Sequence, residues 1–258
     1  MIQIVNDYCE NVIPTLIDDS IDLVVTSPPY NVQLGNNKYN NQSYDYYDDN
    51  MTHWQYIEWL QNIFFLFKAK VKKGGRVVIN IGDGKNGAIP TSSDVIQFMK
   101  GIEYLPYAHI IWNKNTTSNR TAWGSWLSPS SPQFPTPFEH VLVFAMDESK
   151  LQEKGETDLS KEEFTKWAYG LWEFPGESRK RVKHPAPFPE EFAKRCIKLF
   201  TWKGALVVDP FGGSGTTAKV CQELGRNCIS IDISREYCYN ALERINNEGE
   251  LIIHDTPQ

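Results

Sequence analysis

The chain has 258 residues, of which 41% are hydrophobic and 13% aromatic, and its formal net charge is -6. That length and apolar content provide for one large domain with a sizeable core and exclude a disordered chain. The acidic balance excludes a nonspecific polyanion binder, although phosphate contact is decided by local basic patches and not by the global sum.

Taken in chain order, apolar runs of strand length alternate with longer amphipathic stretches. Strands are predicted at Ile2–Val5, Leu23–Thr26, Arg76–Ile81, His109–Trp112, His140–Phe144, Ala205–Val208 and Cys228–Ile231. Helices are predicted at Trp54–Lys70, Ser93–Lys100, Pro189–Phe200, Thr216–Leu224 and Arg235–Asn247. Gly74-Gly75 is read as the break after the first of these helices, with Lys68, Lys70, Lys72 and Lys73 serving its dipole and solubility. Such alternation specifies an α/β fold, a mostly parallel mixed sheet with helices on both faces. Three segments depart from it: the polar loop 31–53, the Ser/Thr/Pro/Trp-rich loop 113–137, and 147–183, which begins acidic and helical and ends basic. Long loops inside a compact domain are commonly functional, and each of these reads also as a plain surface insertion.

Two motifs follow predicted strands. After Leu23-Val24-Val25-Thr26 comes Ser27-Pro28-Pro29-Tyr30. The two prolines fix φ and hold the preceding residues extended, so the loop is stiff and its carbonyls point in set directions. After Val207-Val208 comes Asp209-Pro210-Phe211-Gly212-Gly213-Ser214-Gly215-Thr216-Thr217. Strand, glycine turn and helix make a nucleotide-type pocket in which a ligand approaches the backbone and a helix N-terminus. The string lacks the Gly-Lys-Ser/Thr ending of a phosphate-binding P-loop. Asp232 closes the next strand, at the spacing of an acidic residue that grips ribose hydroxyls.

Together these motifs resemble the catalytic and cofactor signatures of the β-class DNA amino-methyltransferases. The resemblance is dense over Val24–Asn31, Lys183–Phe200 and Val207–Arg244 and thinner elsewhere. It implies a circularly permuted, Rossmann-like methyltransferase fold in one catalytic domain over 1–258. It also implies methyl transfer from S-adenosylmethionine to an exocyclic base nitrogen. Ser27, Pro28, Pro29 and Tyr30 would be catalytic: the Pro28 carbonyl and the Ser27 hydroxyl hold the base edge, and Tyr30 stacks on the extruded base. No covalent intermediate and no cysteine nucleophile are required, unlike in the carbon-5 cytosine enzymes. The cofactor would be held by Asp209, Phe211, Gly213, Ser214, Gly215, Thr216 and Asp232. The segment around His184 and Phe188 would close over the cofactor's methionine end, and it reads also as a proline-stiffened helix start. Asp7 would reach the adenine amine, and reads equally as a turn or helix-cap aspartate. In that family serine at the first motif position is typical of N4-cytosine enzymes, and Asp or Asn of N6-adenine enzymes. Ser27 therefore points to cytosine, with adenine as the alternative.

The resemblance makes double-stranded DNA the partner and 147–183 the target-recognition segment, with 31–53 and 113–137 near DNA. Candidate phosphate contacts are Lys114, Arg120, Arg179, Lys180, Arg181 and Lys183, which also read as a solvated charged face. Trp123 and Trp126 are read as anchors of their loop rather than as wedges into DNA. Five scattered cysteines (Cys9, Cys196, Cys221, Cys228 and Cys238) form no CxxC pair and read as buried reduced thiols, so no metal is expected. No charged-then-apolar leader and no apolar run of membrane length occurs, and a soluble, cytoplasmic protein is expected. A restriction–modification role is the expected setting. A reading of another class, a catalytically inactive DNA- or S-adenosylmethionine-binding module, conflicts with the intact pair of motifs.

Overall fold

The computed structural model describes residues 1–31, 51–115, 124–177, 188–246 and 248–254. In chain order the elements are β1 (Ile2–Asn6), α1 (Cys9–Val12), β2 (Ile21–Thr26), α2 (His53–Leu66), β3 (Val71–Ile81), α3 (Thr91–Gly101), β4 (Tyr104–Asn113) and β5 (Phe138–Met146). They continue with α4 (Lys161–Trp167), β6 (Leu171–Glu173), α5 (Glu190–Phe200), β7 (Leu206–Asp209), α6 (Thr216–Glu223), β8 (Asn227–Asp232), α7 (Arg235–Arg244) and β9 (Glu250–Ile253). The strands form one mixed sheet in the order β6-β4-β5-β3-β2-β7-β8-β1-β9. Among these pairings β5 is antiparallel to both its neighbours, and the rest are parallel.

Alternation along each strand divides the apolar side chains between two cores. Val24, Val77, Ile79, Leu142 and Phe144 face one, with Tyr56, Leu60, Ile63 and Phe64 of α2 and Val95 and Met99 of α3. Leu23, Val25, Val78, Val141 and Val143 face the other, with Phe192, Cys196 and Ile197 of α5, Ala218 and Cys221 of α6, and Cys238 and Ala241 of α7. A period of two in the strands, and of three to four in the helices, therefore produces a sheet covered on both faces. Each large aliphatic or aromatic side chain so buried contributes about 1.5–3 kcal/mol.

Helices α2 and α3 cover one face and α5, α6 and α7 the other. The direction of winding changes between β2 and β7, which pair through Leu23–Val207 and Val24–Val208. In open α/β sheets a ligand crevice lies outside the carboxyl ends of the strands at such a switch point. Both sequence motifs leave the sheet there.

The structure changes several expectations. Helix α2 stops at Leu66, because the Lys70 carbonyl accepts the Ser20 and Ile21 amides at 3.0 Å and the chain enters β3 at Val71. Gly74-Gly75 then lies inside β3 and does not end the helix. Gly74 has φ +77°, and a Cβ there would lie 2.1 Å from the Lys150 carbonyl oxygen. The nearby lysines pair with carboxylates instead of capping a helix: Lys68 with Glu103, Lys70 with Asp18, Lys72 with Asp22 and Glu153, Lys73 with Glu148. The short strands β6 and β9 add two sheet edges that the sequence reading lacked. Between 147 and 177 the chain packs on the main domain, where the Arg226 guanidinium grips both oxygens of Asp158 at 2.7 and 2.8 Å. All five cysteines are buried and free. No helix among the described residues is long and apolar enough to cross a membrane.

Candidate active site

Thr26 ends β2 and Asp209 ends β7, and the Thr26 hydroxyl donates to Asp209 Oδ1 at 2.7 Å. Phe211 N donates to the same oxygen at 3.1 Å, and the Thr217 hydroxyl to Oδ2 at 2.6 Å. Asp209 has 0% exposure. Burial pushes its carboxyl up to about 6, against the pull of the Thr217, Thr26 and Phe211 hydrogen bonds. Its side chain thus binds the two motif strands and the start of α6 together, facing inward.

The glycine loop turns over this brace. Gly212 N donates to the Ile231 carbonyl at 2.8 Å, and a Cβ on Gly212 would fall 2.0 Å from Ser230 Oγ. Gly213 and Gly215 have φ of 50° and 76°, the left-handed region that glycine enters freely. The Arg244 guanidinium donates to the Ser214 carbonyl at 3.0 Å, the Ser214 hydroxyl at 3.0 Å and the Thr216 hydroxyl at 3.1 Å. The Ser214 and Thr216 side chains are therefore braces of the loop as well. Phe211 packs on Trp59 of α2, their ring centroids 5.5 Å apart.

Two carboxylates stand beside the loop at adjacent strand ends. Asp232 accepts Gly213 N and Ser234 N, each at 2.8 Å. Asp7 N donates to the Asp232 carbonyl at 3.2 Å. The Asp7 carboxylate accepts Tyr8 N at 2.7 Å, the Asn11 amide at 2.9 Å and the His254 ring at 2.8 Å. Burial raises its pKa, but the bonds from Asn11, His254 and Tyr8 outweigh burial and leave it lowered. A glycine-rich turn flanked by two carboxylates suits a nucleoside that offers hydroxyl and amine donors. Phe188 is buried against Phe192, with centroids 5.1 Å apart. His184 lies outside the described residues.

On the other side of Thr26, Pro28 and Pro29 lead the chain out of β2 without regular structure. Ser27 Oγ and Tyr30 OH lie 3.2 Å apart. Behind them is a polar group absent from the sequence reading. The Asn80 amide donates to Glu139 Oε2 at 2.7 Å, with Tyr30 OH at 3.1 Å and Ser27 Oγ at 3.3 Å. Glu139 pairs in turn with Lys114, whose ammonium sits 5.2 Å from the Trp112 ring centroid. One polar residue in the run Val77-Val78-Ile79-Asn80-Ile81 was the available signal for this group. Tyr30 also lines a cavity of about 330 Å³, together with Asn31, His53, Tyr56, Gly82 and Thr91. That volume falls in the range of small-ligand sites, roughly 300–1,000 Å³.

Of the candidate DNA contacts, Lys114 is drawn to Glu139. Arg120, Arg179, Lys180, Arg181, Lys183 and Trp123 lie outside the described residues. Trp126, read above as an anchor of its loop, is 64% exposed, and Leu127 and Phe134 are exposed on the same loop.

Known proteins share the sequence pattern and the fold. A DNA methylase family model, that of the N6/N4 methyltransferases, matches residues 21–243. The type II methyltransferase M.MjaVI of Methanocaldococcus jannaschii is 38% identical over 183 residues, covering 70% of this chain and 89% of that protein. A putative DNA modification methylase of Thermus thermophilus, solved in complex with S-adenosyl-L-methionine, superposes with a TM-score of 0.76 at 24% identity. The comparison covers 99% of this chain and 100% of that one. The cytosine-N4-specific PvuII DNA methyltransferase shares the fold with a TM-score of 0.70 at 19% identity, over 96% and 94% of the two chains. The fold is therefore that of the Rossmann-like DNA methyltransferases. The family match runs from β2, which carries the proline motif, through the glycine loop into α7, and on this ground the chain belongs to the DNA methylase family of N6/N4 methyltransferases.

Proposed function

We propose that this member of the family is a site-specific DNA methyltransferase acting on the exocyclic N4 amine of a flipped cytosine, with S-adenosylmethionine as its cofactor. The observation that carries the reading is the Thr26–Asp209 hydrogen bond at 2.7 Å, which draws the proline motif and the glycine loop to one sheet edge. When bound, S-adenosylmethionine supplies an electrophilic methyl group that an amine nitrogen can displace in line, with loss of one proton. The backbone of Gly213 and Gly215, the Phe211 ring and the Asp232 and Asp7 carboxylates are the groups that would hold it. Asp209, Ser214 and Thr216 act by shaping the loop. By resemblance, His184 and Phe188 belong to the segment that closes over the methionine end.

This chain's own contribution to the chemistry is orientation. An exocyclic amine is a weak nucleophile because its lone pair is delocalised into the ring. The Pro28 carbonyl accepts one N–H and holds the nitrogen towards a tetrahedral form, while the Ser27 hydroxyl holds the neighbouring edge. Tyr30 provides a stacking wall for a base removed from the duplex. The exposed Trp126, Leu127 and Phe134 supply an apolar surface for DNA beside that edge. Ser27 at the first motif position favours cytosine. Adenine presents the same amine-beside-acceptor edge and is the second reading. The type II names of the relatives support a restriction–modification setting.

The test is to incubate the protein with methylation-free DNA and labelled S-adenosylmethionine, then identify the product nucleoside by mass spectrometry. N4-methylcytosine is the expected product, N6-methyladenine would assign the base to adenine, and no transfer would overturn the reading. Ser27→Ala and Tyr30→Ala should each lower kcat/KM by about 100-fold or more.

A further inference from the structure

Asn80 is 1% exposed and sits on β3 directly behind the Ser27–Tyr30 pair. Its amide nitrogen carries two hydrogens and has three acceptors in reach: Glu139 Oε2, Tyr30 OH and Ser27 Oγ. Glu139, 8% exposed and paired with Lys114, offers acceptors alone. A flipped Asn80 would set its carbonyl against that carboxylate. Glu139 therefore dictates which way the amide points, and an orphan acceptor marks the cost: Asn80 Oδ1 is buried with no hydrogen-bond partner among the described residues. A buried acceptor left without a partner costs free energy, and a catalytic role is one reason a protein keeps it.

The orientation has a consequence for Ser27. A hydroxyl owns one hydrogen and two lone pairs. The second Asn80 hydrogen, shared between Tyr30 OH and Ser27 Oγ, occupies one lone pair of Ser27, and Tyr30 OH, 3.2 Å away, occupies the other when it donates. The Ser27 hydrogen is then what that side chain presents outward. We propose that the Lys114–Glu139 pair, acting through Asn80, makes Ser27 a hydrogen-bond donor, and that this donor reads the unprotonated ring nitrogen beside the target amine. The inference rests on the methyltransferase reading above and deepens it. Lys114, Glu139 and Asn80 are positioning residues, since none of them needs to touch the base. Bases with a ring acceptor next to the amine are selected, and those that lack it are rejected.

The experiment first maps the modified site by sequencing methylated DNA, then compares two duplexes carrying that site. One holds the natural target base. The other holds its analogue with C–H in place of the ring nitrogen (3-deazacytosine, or 1-deazaadenine if adenine is the product). The wild type should favour the natural base by about tenfold or more in kcat/KM. In Glu139→Gln the new amide can donate to Asn80 Oδ1 and let Asn80 flip. Discrimination should then fall below about threefold, with S-adenosylmethionine affinity and melting temperature retained. Asn80→Leu removes the donor itself at similar volume and should move discrimination in the same direction, which keeps the test open if Glu139→Gln does not fold. A wild type that methylates both duplexes equally overturns this inference and leaves the methyltransferase reading standing. Variants that discriminate as the wild type does also overturn it, and a wild type with no transfer to DNA overturns both.

Discussion

Asp209 is a carboxyl without solvent and with three donors around it, and these two circumstances act in opposite directions on its proton. Burial dominates, and the folded value of about 6 stands above the ordinary 3.8. Between those values the folded protein holds a proton that the unfolded chain has released, so stability from this group falls as pH rises through that window. Asp209→Asn removes the titration while keeping the shape. Wild type should therefore lose up to about 3 kcal/mol relative to Asp209→Asn between pH 3.5 and pH 6.5, measured by urea unfolding of both proteins. A constant difference between the two would contradict the assignment. Ser27 and Tyr30 were legible as residues because proline stiffening is local. Asn80 and Glu139 were not, because their significance depends on which strands lie side by side.

At the scale of elements, the glycine loop is held from beneath by its neighbours. A Cβ on Gly215, at φ +76°, would come 2.5 Å from Ala241 Cβ and 2.8 Å from its Cα. Gly204 has the same φ of +76° and nothing within 4 Å of a Cβ. Gly215→Ala should therefore cost about 3 kcal/mol, combining backbone strain with a clash against α7, while Gly204→Ala should cost about 1 kcal/mol. Chemical denaturation of the two variants separates these terms, and equal losses would refute the packing component. The larger helices and central strands were readable because each repeats its period several times. Strands β6 and β9, with three and four residues, repeat it once or twice, and their pairing with β4 and β1 made them strands. Gly74-Gly75 was misassigned for a related reason, since the contact at Lys150 that requires glycine is far away in sequence.

Across the whole molecule, an ion pair attaches the 147–177 segment to the turn that enters β8. The Arg226 side chain is fully buried and that of Asp158 largely so. Burial raises the Asp158 pKa, but the Arg226 hydrogen bonds and charge override it and leave it lowered. Stability from this pair is present above the ordinary carboxylate value and is lost as pH falls through the depressed one, opposite in sign to Asp209. Arg226→Met should cost about 3–5 kcal/mol by leaving Asp158 without its partner, as read from urea midpoints at pH 7. A loss under about 1 kcal/mol would show that the segment is held by its other contacts. The sequence by itself determined the alternation of strands and helices, the stiff Ser-Pro-Pro-Tyr exit and the glycine turn, because each is specified by residues within a few positions of one another. The tertiary structure alone decided the strand order. That order set Thr26 against Asp209 across 183 residues, seated Asn80 behind Ser27 and turned Lys114 towards Glu139. The physical reason is that lateral pairing in a sheet is chosen by the packing of both faces at once, which no single stretch of chain encodes.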